Sequence, residues 1–487
     1  MSAMNQQIRL LQEPTDSVER SIRVPVLIFF GAAAFWLALG SLFWLLNVSQ
    51  MYTPGAWWAF PGIGWLSFGR SYPVFLNCMV YGWASGAGIG VGLWLLAKLC
   101  GSPLRRPSLP IVGAVLWNVG VGLGILSILA GNGNGKEMLE FPGPVAFILF
   151  LALLIIGLWA VSMFVHREPG APYVSQWYLV GAFLWFPWMY ATASALLNPF
   201  QIPGVAQSAI HWWFCGALMQ LWLTPIALAA SYYFLPKIVG KPIYSYRLAL
   251  FGFWGTALLG GWTGLRHAMG GPLPAWMITA SVVANVLMLI PVIANALNFH
   301  FTVRDSFEDL RWHLPLRFLL FGGFAYMVWN SLGALLSFRT FGRLAQFTLV
   351  SAGHLYLGLI AFSSMILFGA LYLIIPRLLG RDWQYPWLAK THLWFNVVGL
   401  GMIGFDLVIG GVIQGFALQD PKISMDAIND LLQPFLLVQN VAVLLIFVAN
   451  ICFAAAVKLI LLLPTRVRPQ EPAAESSKES LPEVSVA

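Results

Sequence analysis

Long apolar stretches, nearly free of charge, recur along this 487-residue chain. A segment that crosses a bilayer needs about 20 mostly apolar residues. Twelve stretches meet that length, near 23–47, 72–100, 108–131, 144–166, 174–198, 205–235, 244–268, 274–299, 314–338, 345–376, 387–415 and 434–464. Charged residues make up only 9% of the chain, against roughly 25% in a water-soluble domain. So few charges cannot cover a soluble surface, and lipid must solvate most of the chain. The expected fold class is all-α, a polytopic membrane bundle of about twelve transmembrane helices.

Pro and Gly punctuate the joints, as at Pro54–Gly55, Pro142, Pro203–Gly204 and Pro272. Pro187, Pro225 and Pro291 fall inside spans and are expected to kink them, which membrane bundles tolerate. One set of loops carries Lys98, Arg105, Arg106, Arg167, Lys237, Lys241, Arg247, Arg304, Arg311, Arg317, Arg377, Arg381 and Lys390. The other carries Arg70, Lys136, Arg266, Arg339, Arg343 and Lys422. The richer side is expected to be cytoplasmic, which places both termini inside. The division is then a cytoplasmic N-terminal segment (1–22), one twelve-helix membrane domain (23–464) and a disordered cytoplasmic tail (465–487) rich in Pro, Glu and Ser. No sequence repeat and no cleavable signal peptide is evident. The net charge of +8 is scattered over short loops, without the dense patch that tracks phosphates, so nucleic acid is not an expected partner. Cys78, Cys100, Cys215 and Cys452 form no CxxC and read as reduced packing residues. The glycines of GAGIGVG (86–92) read as close helix packing.

Ionisable residues inside spans are costly and few, which makes each a functional candidate. His211 opens the sixth span. Arg266 and His267 end the seventh, His354 lies in the tenth, and Asp406 in the eleventh. Neutral imidazole at His354 suits heme iron or copper, or a hydrogen bond between helices. Arg266 and His267 form either a charge-bearing site or a pair reaching out to the headgroups. Arg266 and Asp406 lie at similar depths and are expected to pair, since either alone is an uncompensated charge. His166, His300, His313 and His392 read as interfacial.

Several strings resemble subunit I of heme–copper oxidases, with cbb3-type cytochrome c oxidases the nearest kind. They are QWYLVGAFLWFPWMYATA (176–193), HWWFCGALMQLWLT (211–224), YYFLPKIVGKPIYSYRLALFGFW (232–254), WTGLRH (262–267), GHLYLGL (353–359) and GALYLIIPRLLGRDWQYP (369–386). The resemblance implies twelve spans around a low-spin heme, a high-spin heme and a copper ion, held by six histidines. By that resemblance His354 keeps the high-spin heme ligand and His267 one of the copper ligands. Phe75 and Tyr356 stand where the low-spin ligands belong, and Gly216 and Arg266 where the other copper ligands belong. Gly260 replaces the redox-active tyrosine and Leu332 the glutamate of the ninth helix.

The chemistry of those replacements sets the functional expectation. Phe cannot ligate iron, and a Tyr phenolate suits high-spin ferric iron. One imidazole beside a guanidinium is a poor copper site. The expectation is an inner-membrane, subunit I-like component of a cbb3-type respiratory complex, impaired in dioxygen reduction. It would hold at most one heme, at His354, and no copper, and would partner other subunits such as a membrane-anchored cytochrome c. The alternatives are a working oxidase with altered ligation and a transporter or channel that reuses the bundle.

Overall fold

A computed structural model describes residues 17–54, 64–103, 106–198, 200–311 and 313–462. In hydrocarbon every backbone polar group must be satisfied internally, and helices do this within one segment. The described residues accordingly fold into helices, twelve of them long and apolar enough to cross a membrane. They are α1 (Ser17–Tyr52), α2 (Phe68–Cys100), α3 (Ser108–Leu129), α4 (Gly143–Val165), α5 (Val174–Leu197) and α6 (Val205–Val239). The second half comprises α7 (Tyr246–Ala268), α8 (Ala275–Ser306), α9 (Leu314–Ser337), α10 (Leu349–Leu379), α11 (Pro386–Gln419) and α12 (Met425–Leu462). A short helix not expected from hydropathy, Arg339–Ala345, caps the joint between α9 and α10.

The helices are not equivalent. The apolar windows of α2, α6 and α10 are 94–100% buried, whereas those of the other nine are 44–56% buried. Three central helices, four elements apart, are therefore surrounded by nine that face lipid on one side. Side chains such as Phe35, Leu158, Leu258 and Phe405 make up that outer face. Each central helix contains a stretch of π-helix: Cys78–Ser85, Leu218–Leu223 and Leu357–Ser364. Each also ends on a left-handed glycine, Gly101, Gly240 or Gly380, a conformation that costs glycine no Cβ clash. The chain thus repeats a four-helix structural pattern three times, although no sequence repeat is visible.

Widened π turns displace carbonyls from their ordinary partners, and hydroxyls supply replacements. Thr224 Oγ1 donates to Met219 O at 2.8 Å, Ser363 Oγ to Gly358 O at 2.9 Å and Ser364 Oγ to Leu359 O at 2.8 Å. The same region ties the centre together. Trp83 Nε1 donates to Ser364 Oγ at 2.8 Å and Trp222 Nε1 to Ser85 Oγ at 3.0 Å.

Several sequence expectations meet the structure here. Gly90 and Gly92 do pack closely: a Cβ on either would lie 2.5 Å from Phe30 or 2.8 Å from Phe183. All four cysteines are free. α1 starts at Ser17, six residues before the expected span, and α12 at Met425, nine before it. The early start of α1 places Glu19 in the interior, where Lys98 Nζ approaches at 3.2 Å and Arg377 Nε donates to it. His392 is not interfacial. It is fully buried, hydrogen-bonds Tyr372 Oη through Nδ1 at 3.0 Å, and packs among Phe318, Phe368 and Phe453. The 465–487 tail lies outside the described residues.

Candidate functional site

At the end of the bundle opposite Ser17, the starts of α2, α6 and α10 meet the ends of α7 and α9 around a cavity of about 310 Å³. Its wall brings together Arg266, His267 and His354 with Gln220, Asn285 and Asn330. Of the intramembrane candidates, three of five therefore converge. His211 contributes from beside the cavity, and Asp406 does not join it.

Arg266 owes its place to the end of α7, where Gly260–Ala268 tightens into a 3₁₀ helix. Its backbone N–H donates to Ser281 Oγ at 2.9 Å, and Ser281 in turn donates to Thr263 O at 3.0 Å. The side chain is 9% exposed, which removes the headgroup-reaching alternative for Arg266. Nor does it pair with Asp406, because the guanidinium turns towards α10: Arg266 Nη2 lies 3.2 Å from His354 Nδ1. Guanidinium can only donate, so Nδ1 accepts and the imidazole proton sits on Nε2. Nδ1 of His354 is thereby used. His267 is half-buried and stacks on Trp212, with ring centroids 4.7 Å apart and planes 16° apart.

The backbones of α6 and α7 touch beside this pair. A Cβ on Gly216 would lie 2.5 Å from Gly264 Cα, and one on Gly264 would lie 1.9 Å from Trp212 O. Gly260 is similarly closed in, 2.9 Å from Leu221 Cδ2. Further into the bundle, Phe75, Tyr356 and Trp44 form one buried aromatic cluster. Trp44 stacks on Phe75 at 5.2 Å and meets Tyr356 at 4.8 Å, while Phe75 and Tyr356 are 6.0 Å apart.

A loop lids the cavity. His211 Nε2 hydrogen-bonds Glu137 O at 2.8 Å, Tyr81 Oη donates to Met138 O at 2.5 Å, and Asn77 Nδ2 to Glu140 Oε2 at 2.8 Å. Glu137 and Met138 then reach the cavity wall. Burial raises the Glu137 carboxyl above the usual carboxylate range, although the Tyr72 hydroxyl, 3.3 Å away, opposes the shift. Burial pushes Glu140 up to about 8. Sequence reasoning missed these loop acids because it weighed only residues inside spans. It also passed over Gln220, Asn285 and Asn330, amides at mid-span whose polarity was itself the available signal. Gln220 Nε2 donates to Asn330 Oδ1 at 2.9 Å, which links α6 to α9.

Residues 24–448 match the family model for cytochrome c and quinol oxidase polypeptide I. The chain belongs to that family. Its subunit I-like relatives include the cbb3-type cytochrome c oxidase subunit CcoN1 of Stutzerimonas stutzeri, 25% identical over 363 residues, which cover 72% of this chain and 76% of the relative. The cytochrome c oxidase subunit 1 homolog, bacteroid, of Bradyrhizobium diazoefficiens is 25% identical over 398 residues, 79% of this chain and 71% of that one. A cryo-electron-microscopy structure of a heme–copper terminal oxidase dimer superposes with a TM-score of 0.78 at 14% identity, covering 91% of this chain and 84% of that chain. The twelve-helix bundle is thus the heme–copper oxidase fold, and heme is the cofactor this family implies.

This chain's donor set can be tested against that implication. Among the described residues no three His, Cys, Asp or Glu side chains gather as metal donors. The Phe75, Tyr356 and Trp44 rings are in mutual contact. The Gly216–Gly264 contact leaves no room for a longer side chain. His354 turns a protonated nitrogen away from Arg266.

Proposed function

We propose that this chain is a subunit I homologue in a cbb3-type respiratory complex that keeps the bundle of its family but not the dioxygen-reducing centre. The observation that carries the reading is the Arg266–His354 hydrogen bond. It sets a cation against the imidazole expected to hold the high-spin heme, and it fixes the tautomer whose Nε2 is a donor rather than a ligand. The expected metal role of His267 gains no support from its stacking on Trp212, and a single heme at His354 gains none from a ring that accepts a guanidinium hydrogen bond at Nδ1.

In this reading the chain supplies helices and partner surfaces in the inner membrane, with both termini cytoplasmic as the loop charges suggest. Electrons travel through other subunits, a membrane-anchored cytochrome c being the expected one. The test is to purify the protein from its native membrane and measure protoheme and copper per chain. Neither is expected in stoichiometric amount on this polypeptide, while a covalent heme is expected on a co-purifying one. Two hemes and a copper per chain would overturn the proposal. One heme per chain would restore His354 as a ligand.

A further inference from the structure

A buried guanidinium without a counter-ion is the least explained feature of the cavity. Arg266 is nine-tenths buried, and among the described residues no carboxylate lies within ion-pairing distance of it. Its side-chain partner is the neutral His354 ring. Taking a cation out of water costs several kcal/mol, and such burial persists where an opposite charge or a full set of hydrogen bonds compensates it. His354 occupies one of five N–H donors. The fork that remains belongs to a residue that lines a cavity of about 310 Å³.

The cavity itself is built for polar contents. Gln220 Oε1, on the same wall, is buried without a hydrogen-bond partner. Asn285, Asn330, Thr263 and Ser351 add further polar groups to the lining. Glu137 is the single carboxylate on that wall. It hydrogen-bonds Tyr72 and lies beyond ion-pairing reach of Arg266, and burial favours its uncharged form. Arg266 is the one Lys or Arg side chain on that wall.

We propose that this cavity binds a small, planar, monovalent oxyanion, of carboxylate or nitrite shape, on the Arg266 guanidinium. A planar fork of N–H donors matches two oxygens borne on one atom, a match that a spherical ion cannot make. The proposal rests on the reading that no heme–copper centre fills this end of the bundle.

The experiment uses the purified full-length chain in detergent, in sulfate buffer at fixed ionic strength. Sodium formate, acetate, nitrite and chloride are titrated separately, with thermal unfolding and equilibrium dialysis of radiolabelled formate as readouts. The planar anions are expected to raise Tm saturably by roughly 2–4 °C, as a ligand that binds only the folded state does, with chloride giving no comparable shift. Arg266→Gln should abolish both signals. Arg266→Lys keeps a cation in place, and should weaken formate binding about tenfold and erase its advantage over chloride. Absence of saturable binding to the native chain, undiminished binding to Arg266→Gln, or equal binding of chloride would each overturn the site. Heme and copper are assayed in the same sample. A metal-loaded chain defeats the functional reading and this site together, whereas a metal-free chain that binds no anion defeats the site alone.

Discussion

Glu140, on the loop that lids the cavity, is held by Asn77, and burial raises its carboxyl to about 8. The unfolded chain would release that proton near pH 4.5. Between those values the folded state binds the proton and the unfolded state does not. The stability owed to Glu140 is therefore full below about pH 4.5 and is lost as the pH rises towards 8. Glu140→Gln, which keeps the shape and removes the charge, is expected to leave Tm nearly unchanged at pH 5 and to raise it by roughly 2–4 °C at pH 8. Scanning calorimetry in detergent at the two pH values checks this, and an equal effect at both would remove the linkage. Residues of this kind were hard to read from sequence. Arg266 and His354 stood out because charge within an apolar run is conspicuous. Their pairing was misassigned because depth along a span says nothing of which way a side chain turns. Glu137 and Glu140 were hidden in a polar loop, where acids are ordinary until the loop folds inward.

At the scale of elements, hydropathy located all twelve helices but blurred their ends. A helix continues past its apolar run when its polar residues find partners inside, as Glu19 does in α1. The π turns of α2, α6 and α10 had no sequence signature, yet each follows within a few residues of a position that the resemblance singled out: Phe75, Gly216 and His354. Such insertions are frequent at functional sites, and here they set how the central helices face one another. The tightest consequence is the α6–α7 contact. Gly264→Ala would drive a methyl group into the Trp212 carbonyl, with backbone on both sides and no flexible side chain to yield. A loss of at least 1–3 kcal/mol is expected, the ordinary cost of overpacking. Fluorescence-detected size-exclusion after heating should show the change. Gly401→Ala, on an open face of α11 with nothing within 4 Å, serves as the neutral control.

For the whole molecule, the two ends of the bundle do different work. At the cavity end, polar groups from six helices surround a space. At the Ser17 end, Glu19 of α1 is fully buried between Lys98 of α2 and Arg377 of α10. It joins a peripheral helix to two of the three central ones. The cations are only 15% and 13% exposed, so solvent screens them little. Glu19→Gln would leave two buried cations facing a neutral amide, and breaking a buried pair costs about 3–5 kcal/mol. The exposed Lys241–Asp305 pair, whose side chains are 44% and 64% exposed, belongs to a class of ion pairs with small effects. Thermal unfolding should rank the variants accordingly, with Glu19→Gln far below Lys241→Ala. Because the clasp and the cavity sit at opposite ends, formate affinity measured below the unfolding range should be the same in Glu19→Gln as in the native chain. A clasp variant that lost anion binding in step with stability would mean that the bundle holds its cavity open only as a whole. Unchanged affinity would show that the cavity keeps its shape without the clasp.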